Sequence, residues 1–254
     1  MKITFLGTNG WYTNETGNTA CILVESKTHY IVFDAGNGIY KLDKYIKSNK
    51  PIFLFISHFH LDHVNGLHTL VKFDFPQGID IFIAAGRKKD LLTLVSPPYT
   101  IGTNFSKANI NNLRTKIRIH ELKEGKHNIG IPLELIKLYH AYTNHGFKIV
   151  LDEKTVAYTG DTGNGKNLIK LVTNADVLIS ECSYFKMPKN AKWGHLDSTT
   201  IAKLAKQYKV KKLLLTHFDP FIYTDFNKRK KAQEKARKIF PNTIYAIDSL
   251  QLII

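Results

Sequence analysis

A chain of 254 residues with 43% hydrophobic and 22% charged residues has an ordinary globular balance and enough length to bury a sizeable core. No apolar stretch approaches the ~20 residues of a membrane helix, and Cys21 and Cys182 are too few for a disulfide framework. The net charge of +15, from 36 lysines and arginines against 21 acids, fits either a phosphate-rich partner or a lysine-rich solvated surface. The apolar run in "MKITFLG" is too short for a signal peptide, so a reducing cytoplasm is the expected location.

The chain opens with strands expected at 2–7, 19–26 and 28–36, punctuated by glycine and asparagine. A helix is predicted over 38–48, where Ile39, Leu42, Tyr45 and Ile46 fall at helical spacing. The continuous apolar run "IFLFI" at 52–56 fits a strand covered on both faces. The middle, 79–139, mixes a strand at 79–84, a helix at 87–95, the loop "SPPYTIGTNFSKANINN" and further strands. Strands at 147–151 and 154–159 come next. Helices at 165–173, 198–208 and near 226–239 then alternate with strands at 176–180 and 212–216, and short strands end the chain. A strand-rich first half and an alternating second half, with no repeat or linker, predict mixed sheets with helices outside them, as one domain over 1–254.

The stretch "SHFHLDH", directly after the 52–56 run, carries the chemistry. His58 and His60 are two apart, so an extended segment points both rings the same way. Asp62 and His63 follow at once, which requires a turn or helix start and aims a second pair at a slightly different point. Imidazole and carboxylate suit zinc and related divalent metals. Three further ligand-type residues stand where apolar strands give way to polar turns: His140 after "LIKLY", Asp161 in "VAYTGD" and His217 after "KKLLLT". Each alone reads as an ordinary turn residue. Together with 58–63 they read as ligands, aimed by rigid strand ends beside loops that leave room for a substrate.

The order "HFHLDH", His140, "TGD" and "LLLTH", with the opening "KITFLGTNG", "NTACILVES" and "YIVFDAG", resembles the metallo-β-lactamase fold superfamily over nearly the whole chain. The resemblance implies an α/β fold: a four-layer αββα sandwich of two mixed sheets with two divalent metal ions, zinc by default and manganese or iron as alternatives. It implies that His58, His60 and His140 hold one ion, that Asp62, His63 and His217 hold the other, and that Asp161 bridges them. Asp34 would lie behind the ligands and orient one by a hydrogen bond. Asp62 also counts among the expected catalytic residues.

Within the superfamily, "ADVLISECSY" with Glu181 and "WGHLDS" with His195 look like the branch of ribonuclease Z and the cyclic phosphodiesterases. That branch implies a metal-bridging hydroxide that attacks phosphorus, with His195 as general acid oriented by Glu181. The bland alternative is that His195 merely precedes a helix capped by Asp197 or Ser198. The chain reads "HLDH" where the tRNA enzyme has "HGDH", and "FDAGNGIYKLD" lacks that enzyme's "EGTQ"-like stretch. The substrate is therefore expected to be a small phosphodiester. RNA at a tRNA 3′ end, a lactone, thioester or sulfate ester, and a non-catalytic metal-binding module stay open as alternatives. The branch implies a homodimer, and the lack of a long apolar stretch predicts no membrane partner. The run at 228–238 puts seven cations on one helix, a solvated face in the plain reading and a phosphate track in the sharper one.

Overall fold

The structure, a computed structural model, describes residues 1–100, 114–190 and 192–254. The strands are β1 (Lys2–Gly7), β2 (Cys21–Glu25), β3 (Tyr30–Phe33), β4 (Ile52–Phe55), β5 (Ile79–Ala84), β6 (Ile117–Leu122), β7 (Gly125–Asn128), β8 (Pro132–Leu138), β9 (Asn144–Leu151), β10 (Lys154–Tyr158), β11 (Val177–Glu181), β12 (Lys212–Thr216), β13 (Thr243–Tyr245) and β14 (Gln251–Ile253). The helices are α1 (Leu61–Val64), α2 (Lys88–Leu94), α3 (Lys166–Val172), α4 (Ser198–Gln207) and α5 (Phe226–Arg237), with 3-10 turns over Asn37–Lys44 and Asn65–Lys72.

Two seven-stranded sheets form, in the orders β14-β1-β2-β3-β4-β5-β6 and β13-β12-β11-β10-β9-β8-β7. In the first sheet β1 pairs antiparallel with β14 and β2, and β2 with β3, whereas β3 to β6 run parallel. In the second sheet β10 to β13 run parallel and β7 to β10 antiparallel. The sheets are mixed, as expected. The strands that carry the site, β3 and β4 in one sheet and β8, β10, β11 and β12 in the other, release their C-terminal ends toward it.

Three apolar layers explain the stacking. Phe5, Phe33, Phe55, Phe147 and Tyr158 fill the space between the sheets. Phe33 packs 4.8 Å from Tyr158 and 6.0 Å from Phe147, centroid to centroid, so rings from both sheets interlock. Outside the first sheet, Ile39, Leu42, Val64, Leu67 and Leu91 cover Leu23, Val32 and Leu54. Outside the second, Leu168, Leu171, Ile201, Ala205, Ala232 and Ala236 cover Leu178, Leu213 and Leu215. The order is helix, sheet, sheet, helix. Among the described residues no helix is long and apolar enough to cross a membrane.

The differences from the expectations are local. The 38–48 segment forms a 3-10 helix ending at Lys44; Ile39 and Leu42, three apart, face the core, and Tyr45 and Ile46 lie past its end. The strands expected at 19–26 and 28–36 shorten to β2 and β3. The strand expected at 147–151 starts earlier, at Asn144. The loop singled out at 96–112 lies outside the described residues from 101 onward. On α5, Ala232 and Ala236 are buried, and so is Arg229, which a solvated face would have left exposed.

Candidate metal centre

The segment after β4 stays extended through His60, whose φ of −65° and ψ of 145° set it up as the N-cap of α1. One short helical turn then swings Asp62 and His63 inward. His140 lies two residues beyond β8, Asp161 three beyond β10, and His217 directly beyond β12. The sites expected from the sequence therefore meet at one point. The ligand atoms of His58, His60, His140 and Asp161 all lie within 4.8 Å of one another, as do those of Asp62, His63, Asp161 and His217. Asp161 is common to both groups, and with Glu181 and His195 it forms a third.

Outer hydrogen bonds decide which nitrogens face the centre. Asp34 accepts from the Ser57 N–H at 2.7 Å, the Ser57 hydroxyl at 2.8 Å, the Tyr158 hydroxyl at 2.6 Å and His63 Nδ1 at 2.7 Å. Because the Ser57 hydroxyl gives its proton to Asp34, it accepts from His58 Nδ1, 3.1 Å away. Ser183 gives its hydroxyl proton to the His217 carbonyl and accepts from His217 Nδ1 at 3.1 Å. His140 Nδ1 donates to the Gly194 carbonyl at 3.1 Å. All four rings thus keep a proton on Nδ1 and turn the Nε2 lone pair inward, the arrangement of metal-ligating imidazole.

Those inward atoms fit a cation. His58 Nε2 and Asp161 Oδ1 are buried and have no hydrogen-bond partner. His63 Nε2 and His217 Nε2 lie 3.0 Å apart, and each is within 3.3 Å of Asp161 Oδ1, a close convergence of ligand-type atoms. Burial, joined by neighbouring histidines, pushes His58, His60 and His140 below the ordinary histidine range, so these rings are neutral and free to ligate. Around His63 and His217, burial also opposes charge, but the Asp161 and Asp62 carboxylates outweigh it and raise both. Burial opposes ionisation of Asp62 and Asp161 as well, yet the facing His63 and His217 hold both carboxyls below their usual range. The Asp62 and Asp161 carboxylates thus draw positive charge into the second group, as protons on His63 and His217 or, in their place, as a divalent metal that these residues fit.

Glu181 ends β11 with its side chain wholly buried. Its carboxylate accepts from the N–H groups of Thr162 at 2.8 Å, Ser183 at 3.1 Å and Leu196 at 3.2 Å. His195 Nδ1 lies 2.8 Å from it. Burial works against a charged ring, but Glu181 pushes His195 up to about 9. Asp197 also caps α4, accepting from the Thr200 N–H at 2.8 Å, so the cap and the His195–Glu181 pair coexist.

Sequence reasoning missed the groups that act through the backbone or over long separations. Trp11 donates its N–H to Asp62 Oδ2 at 2.7 Å. Gly10 lies so close to His217 that a Cβ there would fall 2.4 Å from the ring. Tyr142 stacks on His60 at 5.7 Å and bonds Arg87. Tyr142, Tyr139, Trp11 and Trp193 are exposed, and a cleft of about 530 Å³ runs from His140 along Tyr139 and Tyr142 to Lys137 and Lys166. Only Ser57 and Ser183 carried a signal, as small hydroxyl residues beside His58 and within "ECSY".

Comparison with known proteins shows the family and the fold. Residues 1–238 match the family model described as "Anti-Pycsar protein Apyc1". The ribonuclease Z of Archaeoglobus fulgidus is 26% identical over 99% of this chain and 97% of its own, in an alignment 312 positions long. The probable metallo-hydrolase YhfI of Bacillus subtilis is 26% identical over 92% of this chain and 93% of its own. The metallo-β-lactamase fold structure of YhfI superposes with a TM-score of 0.78 over 99% of this chain and 98% of that one, at 21% identity. Human tRNase Z, short form, gives 0.75 over 100% and 99%, at 22% identity.

Proposed function

The chain belongs to the Anti-Pycsar protein Apyc1 family and is a metal-dependent hydrolase of the metallo-β-lactamase fold; on that premise we propose that it is a phosphodiesterase, with the whole chain as one hydrolase domain. His58, His60 and His140 would hold one ion, Asp62, His63 and His217 a second, and Asp161 both. Two such ions, as zinc, manganese or iron, would lower the pKa of water and draw charge from phosphoryl oxygens.

The observation that carries the reading is the His195–Glu181 pair beside Asp161. Phosphodiester cleavage expels an alkoxide, which needs a proton. His195 keeps one on each nitrogen near neutral pH: Nδ1–H is fixed on Glu181, and Nε2–H is left to protonate the leaving oxygen. Three backbone donors hold Glu181 still, so the ring's orientation is set before substrate arrives. The exposed rings of Tyr139 and Tyr142 and the cations Lys137 and Lys166 line the approach to His140, which suits an anionic substrate.

A small phosphodiester fits better than tRNA. The relatives named ribonuclease Z favour RNA as the second reading. Against it, four of the seven cations at 228–238 are engaged within the protein: Arg229 is buried, Lys228 Nζ donates to the Ile222 carbonyl at 3.0 Å, Arg237 Nε donates to the Thr243 carbonyl at 2.8 Å, and Lys235 lies over the Phe185 ring. The 312-position alignment against a 254-residue chain also means that the archaeal enzyme carries segments this one lacks. The experiment is turnover by metal-loaded protein of bis-p-nitrophenyl phosphate, cyclic nucleotides and precursor tRNA. Faster turnover of a cyclic nucleotide than of precursor tRNA supports this reading; efficient, salt-sensitive tRNA cleavage overturns it in favour of the nuclease. The homodimer implied by the branch is part of the proposal, and light scattering in solution checks it.

A further inference from the structure

Arg229 is the largest fully buried side chain among the described residues. It sits within the basic run of α5, yet it points away from solvent, under the loop that follows β1. Its Nη1 donates to the Thr8 hydroxyl at 2.9 Å and the Ala246 carbonyl at 3.2 Å; its Nη2 donates to the Asn9 side-chain oxygen and to the Thr16 hydroxyl at 3.1 Å. The guanidinium lies 4.7 Å from the Phe218 ring centroid and 5.4 Å from that of Phe226. Among the described residues no carboxylate forms an ion pair with it. Asp248 is reached only through Thr8, whose hydroxyl donates to Asp248 at 2.9 Å.

A buried cation held by neutral acceptors is costly, and an apolar side chain of similar size would fill the space more cheaply. What the fork does that an apolar chain cannot is hold three side chains of one loop, Thr8, Asn9 and Thr16, by hydrogen bonds to one rigid group. Asn9 passes the constraint on: its Nδ2 donates to Tyr12 O at 3.2 Å, Asn14 Oδ1 at 2.9 Å and Gly17 O at 3.0 Å. The same loop is zipped to the strand end that bears His217, through Phe218 N–H to Thr8 O at 2.9 Å and Gly10 N–H to Phe218 O at 3.0 Å. Its far side reaches the site twice, with the Trp11 N–H on Asp62 and Gly10 against the His217 ring.

We propose that Arg229 is a positioning residue for one half of the metal centre: by clamping the loop from Thr8 to Gly17 it sets the Trp11 N–H on Asp62 and the wall behind His217. The proposal rests on the reading of Asp62, His63 and His217 as one metal site. It assigns no such role toward His58, His60 and His140, none of which the loop touches through a described hydrogen bond. The loop therefore tunes one ion without the other.

The test is titration of chelator-stripped, full-length protein with cobalt(II), followed by visible absorbance, which reports ligand geometry at each ion. Far-UV circular dichroism on the same samples shows that each variant is folded. The unaltered chain should bind two ions, and Asp62→Ala identifies which binding step belongs to Asp62. Arg229→Met should weaken that step by about 10-fold or more and alter its spectrum, the scale seen when partners of metal ligands are removed, while the other step keeps its affinity and spectrum. Arg229→Lys, which keeps the charge but not the fork, should recover only part of the loss. If Arg229→Met does not fold, Asn9→Ala decides, since it breaks the relay and leaves Arg229 bonded to Thr8, Thr16 and Ala246. Equal weakening of both steps, or none in a folded variant, overturns the proposal alone. A single ion bound by the unaltered chain overturns the two-ion reading and this proposal with it.

Discussion

His195 Nδ1 and Glu181 Oε1 lie 2.8 Å apart, the ring one-fifth exposed and the carboxylate wholly buried. Glu181 raises His195 to about 9, well above the 6.5 of a free histidine. A general acid works in its protonated form, so turnover that depends on it should hold through neutral pH and fall as pH rises through about 9. Removing the charge with Glu181→Gln should move that falling limb to lower pH. The stability the pair contributes follows the same direction: full below the unfolded histidine value, lost as pH rises through the folded one. An alkaline limb that stays put in Glu181→Gln would disprove the assignment.

Replacing His195 by alanine should leave both ions in place, since neither four-residue ligand group contains it. Turnover should fall by about 10²–10⁴ on substrates with poor leaving groups. On p-nitrophenyl esters, whose leaving group needs little help from a proton, the loss should be smaller. Equal losses on both would point to substrate positioning.

Asp161 is the one carboxylate common to both ligand groups. Asp161→Ala should therefore drop the metal content well below that of His60→Ala, which touches one group only, and should abolish turnover. Metal analysis of the two purified variants decides; full metal content in Asp161→Ala would rule out its shared role.

On α5 and at its C-cap, Lys230, Lys231 and Lys238 are exposed and Arg229 is not. Reversing these three to glutamate should leave the Michaelis constant for a small phosphodiester unchanged at any salt concentration. If RNA tracked along this helix, the same change would raise the constant for precursor tRNA and flatten its salt dependence.

Gly160, one residue before Asp161, has a φ of 54°, and a Cβ there would fall 2.5 Å from Asn144 Oδ1 and 2.8 Å from Ser57 Cβ. Gly160→Ala should cost about 1–3 kcal/mol of stability from the backbone conformation alone, measured by denaturant unfolding of the apo protein. An unchanged midpoint would show that the turn relaxes freely.

The site was legible to the degree that its chemistry is contiguous or sits at strand ends. His58, His60, Asp62 and His63 fall within six residues beside a buried run, and His140, Asp161 and His217 each follow an apolar strand, so position in the sequence already implied position in space. The rest was hidden for physical reasons. Trp11 acts through its backbone N–H, which every residue but proline has, so its side chain gives no sign of the role. Arg229 carries the same charge as the lysines beside it in the run, and only the fold shows that it is buried. The turn at 37–44 has apolar residues three apart, which fits a 3-10 and an α-helix equally; the packing of Ile39 and Leu42 decides.

Asp34 leaves β3 in the left-handed region, with a φ of 58°, and joins Ser57 and His63 of its own sheet to Tyr158 of the other. The ligand set is divided in the same way: positions 58 to 63 come from one sheet, and His140, Asp161 and His217 from the other. Neither sheet alone offers more than part of a coordination sphere. During synthesis, therefore, the first sheet's proposed ligands emerge long before their counterparts, and metal captured early would be held by an incomplete set. An ion held by the proposed set would become a fastener only after His217 has been added and the two sheets have closed. From then on it resists their separation, and chelation should speed proteolysis at the seam between the sheets before it affects either sheet's outer helices.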